Sequence, residues 1–332
     1  MKIIVLTSNG IRHKFFANSL SSKADDVLII SESKQNNFEN INSNDLNPID
    51  EHFKLRDKTE ESFFSDNDSF NAETLSVPYK DVNNNHIFQK ITKFQPDMIF
   101  IFGSSIIREP LLSFTTSIPT FNLHLGISPY YRGSGTNFWP FVNEELEYVG
   151  STILHINSGI DTGDIICHTR PKIELGDNVH SVGCKVIQSS VESLFKIMEM
   201  IGEGVKLTPI KQWKVDNERY YRTSDFNEEI LLKYKNNLKN GLIFKQSQRK
   251  ISFIKKKVEL ILTEKECEIL EYLLKEKKFI KKKDLLKNIW GFNSKVKTRT
   301  LETHVYRLRK KIIKNFGIKK FINVKDNSYK LF

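Results

Sequence analysis

The densest run of chemistry-bearing side chains lies between residues 121 and 164, FNLHLGISPYYRGSGTNFWPFVNEELEYVGSTILHINSGIDTGD. Asn122 and His124 stand two apart in a short apolar stretch, and Asp161 follows in a Gly-bounded segment. No Ser or Cys is paired with the His as a nucleophile, so a covalent acyl-enzyme is not suggested. An amide, an imidazole and a carboxylate instead suit direct transfer of an acyl group between two amines. The Asn122 amide and a protonated His124 can donate to the oxyanion of a tetrahedral intermediate. Asp161, directly or through a water, can take the proton of the attacking amine and return one to the leaving amine. Such a trio needs no metal.

Positioning these groups requires a sheet and two loops. Residues 121–125 read as a strand, which places Asn122 and His124 on one face because strand side chains alternate. Residues 150–156 form another apolar strand that leads into the Asp161 loop. Upstream, residues 2–7, 27–31 and 97–102 are apolar strand candidates, and residues 83–94 give an amphipathic helix that stops before Gln95-Pro96. Residues 34–50 are Asn-rich and read as loop, and residues 179–201 as a long helix. Strands alternating with helices predict an α/β fold with a mostly parallel sheet, whose sites form at the carboxyl ends of strands. Arg132 lies in the Gly-rich loop after the His124 strand, where it either binds an acidic part of the acceptor or pins the loop. His13, His52, His86, His155, His168 and His180 have no comparable company and read as surface or satisfied core residues.

The chain has 332 residues, 51 Lys+Arg against 40 Asp+Glu and a net charge of +11. That length predicts two domains. The charge is uneven: residues 241–332 carry 26 Lys+Arg against 9 Asp+Glu, while residues 1–240 carry 25 against 31. So basic a segment calls for a polyanionic partner. No apolar run approaches a membrane span, and the four apolar residues after Lys2 are too few for a signal peptide. Cys167, Cys184 and Cys267 have neither disulfide-framework nor zinc-ligand spacing, which fits a reducing cytoplasm.

The order Asn122-x-His124, Pro129-x-x-Arg132-Gly133, then Asp161-Thr162-Gly163 resembles the folate-dependent formyltransferases, which include glycinamide ribonucleotide, methionyl-tRNA and amino-sugar formyltransferases. The resemblance covers about residues 1–215. It implies a Rossmann-like fold, 10-formyltetrahydrofolate as donor, a small-molecule amine acceptor, and Asn122, His124 and Asp161 as the catalytic set. The pterin would sit against Phe102, Gly103 and Ser104 at one strand end and against Gly159, Ile160, Thr162, Gly163 and Asp164.

Beyond residue 250 the pattern sharpens again. Thr263 and Glu266 form a capping box opening a helix, residues 283–290 a second, and residues 298–316 a third with Leu301, Val305, Leu308 and Ile312 as one buried stripe. Residues 321–332 read as a hairpin. Three helices and a terminal hairpin, with the basic helix third, describe a winged helix-turn-helix. The stretch resembles the OmpR/PhoB-type winged-helix domain through Leu285-Leu286-x-x-Ile289-Trp290-Gly291 and Arg299-Thr300-Leu301-Glu302-Thr303-His304-Val305-x-Arg307-Leu308-Arg309. That resemblance implies duplex DNA as partner, with Arg299, His304, Arg307 and Arg309 as phosphate or base contacts and Lys325 at the wing tip. The expected organisation is a catalytic domain over residues 1–225, a linker over 226–249 and a DNA-binding domain over 250–332. Two other readings stand beside an enzyme with a DNA-binding module: a transcriptional regulator whose first domain senses a ligand, and a tRNA-acting formyltransferase. A homodimer is left open.

Overall fold

The computed structural model describes residues 1–33, 47–143, 145–172, 177–216, 218–240, 242–245, 249–253, 258–276, 278–291, 299–318 and 321–331. Two compact units result, one from Met1–Lys172 and Asn178–Leu232, the other from Lys233–Phe332.

In the first unit, elements run β1 (Lys2–Ser8), α1 (Ile11–Ser21), β2 (Asp26–Ser33), α2 (Pro48–Phe64), β3 (Glu73–Pro78), α3 (Asn85–Phe94), β4 (Met98–Phe102), α4 (Leu111–Thr116) and β5 (Thr120–His124). They continue through β6 (Tyr131–Gly133), α5 (Trp139–Val142), β7 (Ser151–Leu154), β8 (Ile165–Thr169), α6 (Val179–Gly202) and β9 (Arg219–Tyr221). Seven strands form one sheet in the order β3-β2-β1-β4-β5-β7-β8. The first five are parallel, whereas β7 pairs antiparallel with β5 and β8 pairs antiparallel with β7. The order reverses at β1/β4, the arrangement of a doubly wound Rossmann-like sheet.

The sequence of β1 explains its central place. Ile3, Ile4, Val5 and Leu6 are each 0% exposed. Ile3 and Val5 pack with Phe16, Leu20, Val191 and Leu194 of α1 and α6, while Ile4 and Leu6 pack with Ile87 and Ile91 of α3. Such a strand reads as an unbroken apolar run, because helices cover both faces. As expected, α3 stops before Pro96, with Gln95 in the left-handed region at φ 53°.

Two elements were hidden in the sequence. Residues 47–50, within the stretch read as loop, open α2; Asn47 Oδ1 accepts from the amides of Ile49 and Asp50, each at 2.9 Å, and Pro48 is the first helical residue. Asn-Pro followed by Asp50 and Glu51 is a helix-start signature that the Asn-rich context masked. The expected linker, 226–249, carries a helix, α7 (Glu228–Asn240), and a strand, β10 (Leu242–Lys245). Leu231 and Tyr234, three residues apart among charges, are buried.

In the second unit, β10 pairs with β11 (Lys250–Phe253), which pairs with β12 (Val258–Ile261). Then come α8 (Glu264–Glu276), β13 (Ile280–Lys281), α9 (Lys282–Trp290), α10 (Thr300–Phe316), β14 (Ile322–Lys325) and β15 (Ser328–Leu331). The capping box forms as expected: the Thr263 amide donates to Glu266 Oε2 at 2.8 Å and the Glu266 amide to Thr263 Oγ1 at 3.3 Å. Leu301, Val305, Leu308 and Ile312 of α10 are all buried against α8 and α9 residues such as Leu270 and Leu285. The hairpin turns on Asp326 and Asn327 at φ 47° and 55°, with Lys325 paired to Ser328. Positive φ at both central residues is the two-residue turn whose twist matches a hairpin, and Asp-Asn supplies it without glycine.

Candidate active site

Asn122 and His124, on one face of β5, line a cleft of about 880 Å³ within the first unit. The imidazole is 6% exposed and held at both edges. Its Nδ1 lies 3.3 Å from Asp161 Oδ2, and its Nε2 lies 2.9 Å from the Tyr131 carbonyl oxygen. A carbonyl only accepts, so Nε2 carries a proton and donates it. The Gly133 amide donates to the same Asp161 oxygen at 3.2 Å. Strand β6 thus supplies an acceptor to the His and a donor to the Asp.

Asp161 reaches this position on a loop whose every residue type has a job. Its own backbone is left-handed, φ 54°, which Asp tolerates better than most residues. Asn157 Oδ1 accepts from the Gly159 amide at 3.0 Å and the Thr162 hydroxyl at 2.7 Å. A Cβ on Gly163 would stand 1.7 Å from the His155 carbonyl oxygen, so only glycine fits. Gln212 closes the loop from outside, donating through Nε2 to the carbonyls of Asp161 and Gly163, both at 2.8 Å. Gly126 has a similar constraint: a Cβ there would meet His124 Nε2 at 2.6 Å and the Thr136 Cβ at 2.7 Å.

Phe102, Gly103 and Ser104, at the end of β4, line the cleft, as do Gly159, Ile160, Thr162 and Gly163. Asp164 is not among the residues that line it; its carbonyl accepts from the His155 amide at 2.9 Å and closes the β7–β8 connection. Arg132 pairs with Glu218, and does not line the cleft either.

Sequence reasoning also missed Glu32. It is 0% exposed and accepts from the Ser105 amide and hydroxyl, both at 2.6 Å, and from the Lys80 amide at 2.8 Å. It therefore fixes the segment after β4 that floors the cleft. Its contacts lie 48 and 73 residues away, beyond any local signal.

The cleft is also lined by His52 and His180, whose ring centroids lie 4.4 Å apart at a 58° tilt, and by the Arg12–Glu60 pair at 3.0 Å. Burial, with help from His52 and Arg56, pushes His180 down from 6.5 to about 3. The native ring therefore stays neutral while the unfolded ring takes a proton below pH ~6.5. Stability should fall as pH drops through this window, by about 2 kcal/mol from this group between pH 7 and 5. Urea denaturation at the two pH values should show His180→Gln losing less stability than the parent; equal losses would refute the assignment.

In the second unit, Arg299, Arg307 and Lys325 are exposed, Arg309 is half-buried, and His304 packs its ring 5.5 Å from Trp290. His304 is thus partly occupied within its own fold. Lys311 turns inward to Glu266 at 2.7 Å. Tyr306, 65% exposed, shares the outward surface of α10 with Arg307 and had not been singled out.

Residues 1–197 match the model of the family described as "Formyl transferase". The chain belongs to the formyl transferase family. Residues 257–331 of this formyl transferase match a second model, "Transcriptional regulatory protein, C terminal". Over 134 residues it is 29% identical to a methionyl-tRNA formyltransferase of Caldanaerobacter subterraneus subsp. tengcongensis, covering 39% of this chain and 41% of that protein. A 123-residue stretch is 32% identical to the bifunctional polymyxin resistance protein ArnA of Wigglesworthia glossinidia brevipalpis, covering 37% of this chain and 18% of that one. The chain thus spans about two fifths or less of these curated relatives. Among solved structures, a 4-N formyltransferase from Francisella tularensis aligns with a TM-score of 0.46 and 19% identity, over 79% of this chain and 96% of that one. No helix among the described residues is long and apolar enough to cross a membrane. Among those residues, no cluster of three or more His, Cys, Asp or Glu is placed to hold a metal ion.

Proposed function

We propose that the first unit transfers a formyl group from 10-formyltetrahydrofolate to a primary amine, and that the second unit binds duplex DNA. The observation that carries the first half is the His124–Asp161 pair, 3.3 Å apart, sharing one cleft with Asn122. The cleft is of the size that small-molecule ligands occupy. Its lining fits a flat, amphipathic ligand: Ile106 and Ile160 are 58% and 43% exposed, beside the polar backbone of Gly103, Gly159 and Gly163. Phe102, Gly103, Ser104, Gly159, Ile160, Thr162 and Gly163 would hold the folate. When bound, it supplies the formyl group as an N-acyl electrophile.

Asn122 donates from its amide to the formyl oxygen as that oxygen gains charge. His124 has Nε2 committed to Tyr131, so only Nδ1 serves the cleft. A proton there is shared between Asp161 and the developing oxyanion. Asp161 accepts a proton from the attacking amine and returns one to the leaving nitrogen. Overall one C–N bond forms and one breaks, and no proton is gained or lost.

Tetrahydrofolate release should be measured with purified protein, 10-formyltetrahydrofolate and a panel of primary amines: amino-sugar nucleotides, glycinamide ribonucleotide and methionyl-tRNA. Absence of both folate binding and turnover overturns this reading. Tight folate binding without turnover, together with folate-dependent DNA binding, moves the protein to the ligand-sensing alternative.

The DNA half is supported by the basic α10 with exposed Arg299 and Arg307, the exposed wing residue Lys325, and the family match over residues 257–331. Arg307→Ala should weaken duplex binding by about 1–3 kcal/mol at fixed salt. Unchanged affinity in a fluorescence-anisotropy titration would reject α10 as the docking helix. Preference for tRNA over duplex in the same titration would favour the tRNA-acting alternative.

A further inference from the structure

We infer that Tyr131, Glu145 and Arg219 are positioning residues that fix which nitrogen of His124 carries the permanent proton. None of the three lines the cleft. Tyr131 is 1% exposed, and its backbone carbonyl faces His124 Nε2 at 2.9 Å. Two independent restraints hold that carbonyl. One is a ladder: β6 pairs in parallel with β9, the Arg219 amide donating to the Tyr130 carbonyl at 2.9 Å and the Ser134 amide to the Tyr221 carbonyl at 2.7 Å. The other is a chain of side chains. The Tyr131 phenol donates to Glu145 Oε2 and accepts from Asn143 Nδ2 at 2.9 Å. Arg219 grips the Glu145 carboxylate with both Nε, at 2.9 Å, and Nη2.

The hydroxyl is a reliable donor, since burial and the neighbouring Glu145 push its ionisation far above the ordinary tyrosine range. A paired, two-point Arg–carboxylate contact also has a fixed orientation, unlike a lysine point charge. The carbonyl direction is thus set by β9 and by a network that never touches the ligand. A neutral imidazole has one N–H, and this arrangement keeps it on Nε2; a proton on Nδ1, facing the Asp161 carboxylate, is the second one and makes the ring the imidazolium that the proposed transfer uses. At metal sites, partners that fix a ligating histidine's tautomer are typically worth about 10–100-fold in affinity or activity, and the lower end of that range is expected here.

The test has a readout that does not depend on formyl transfer. Two-bond proton–nitrogen spectra of histidine-labelled protein report the tautomer directly. The neutral ring of the parent should show His124 as the Nε2–H form. Glu145→Ala should give a mixture containing Nδ1–H, and Glu145→Gln, which still accepts from the phenol and the guanidinium, should keep the parent tautomer. Arg219→Gln is read the same way if Glu145→Ala does not fold. The kinetic arm alone rests on the proposed formyl transfer: Glu145→Ala should lower kcat about 10-fold with KM for amine and folate unchanged. A parent protein with its proton on Nδ1, or a Glu145→Ala protein with the parent tautomer, overturns the inference. A tautomer shift in a protein that never releases tetrahydrofolate upholds it and removes the proposed activity instead.

Discussion

Asp161→Asn is expected to lower kcat by about 10²–10⁴-fold, the range for a missing acid–base group, with little change in the thermal midpoint. The substitution separates chemistry from structure cleanly. Asparagine has the shape of aspartate, accepts the Gly133 amide through its own oxygen, and is among the few residues at ease at φ 54°. The loop is held by Gln212 on backbone carbonyls, not through the Asp161 side chain. What disappears is the basicity that, in the proposed transfer, takes the amine proton, together with the anion beside His124 Nδ1. Tetrahydrofolate release at saturating amine and folate is the measurement. Near-parent kcat would mean that another group moves the proton.

The second large effect belongs to Asn122. Asn122→Ala should reduce kcat by about 10²–10³-fold, the loss seen when a donor to a developing oxyanion is removed. The strand tolerates the change: Asn122 pairs through its backbone with Ile101 and Leu154, and its side chain is directed to the cleft. Folding and folate affinity, read by calorimetry, should stay near parent values. A rise in KM at constant kcat would reassign Asn122 to ground-state binding.

Much of this was legible because it was local. Asn122 and His124 two apart on a strand, the Gly-bounded loop bearing Asp161, the unbroken apolar β1, and the stripe of α10 all follow from spacing along a few residues. The groups that finish the site were not, because each comes from far along the chain. Gln212 reaches Asp161 across 51 residues, Arg219 reaches Glu145 across 74, and Arg132 reaches Glu218 across 86. No periodicity encodes such meetings. His52 and His180 were likewise set aside as ordinary histidines, since only the approach of α2 to α6 makes them part of the cleft wall. Where composition misled, in α2 and α7, short start signals or a few buried residues outweighed a polar average.

The parallel pairing of β6 with β9 bears on how the protein can be divided. A fragment ending at residue 197, where the family likeness stops, would retain Asn122, His124 and Asp161 in full. It would nonetheless lack Gln212, Arg219 and the strand that aims the Tyr131 carbonyl. Excision of an autonomous enzyme therefore has to preserve the tail as far as Leu232, the last residue of the first compact unit.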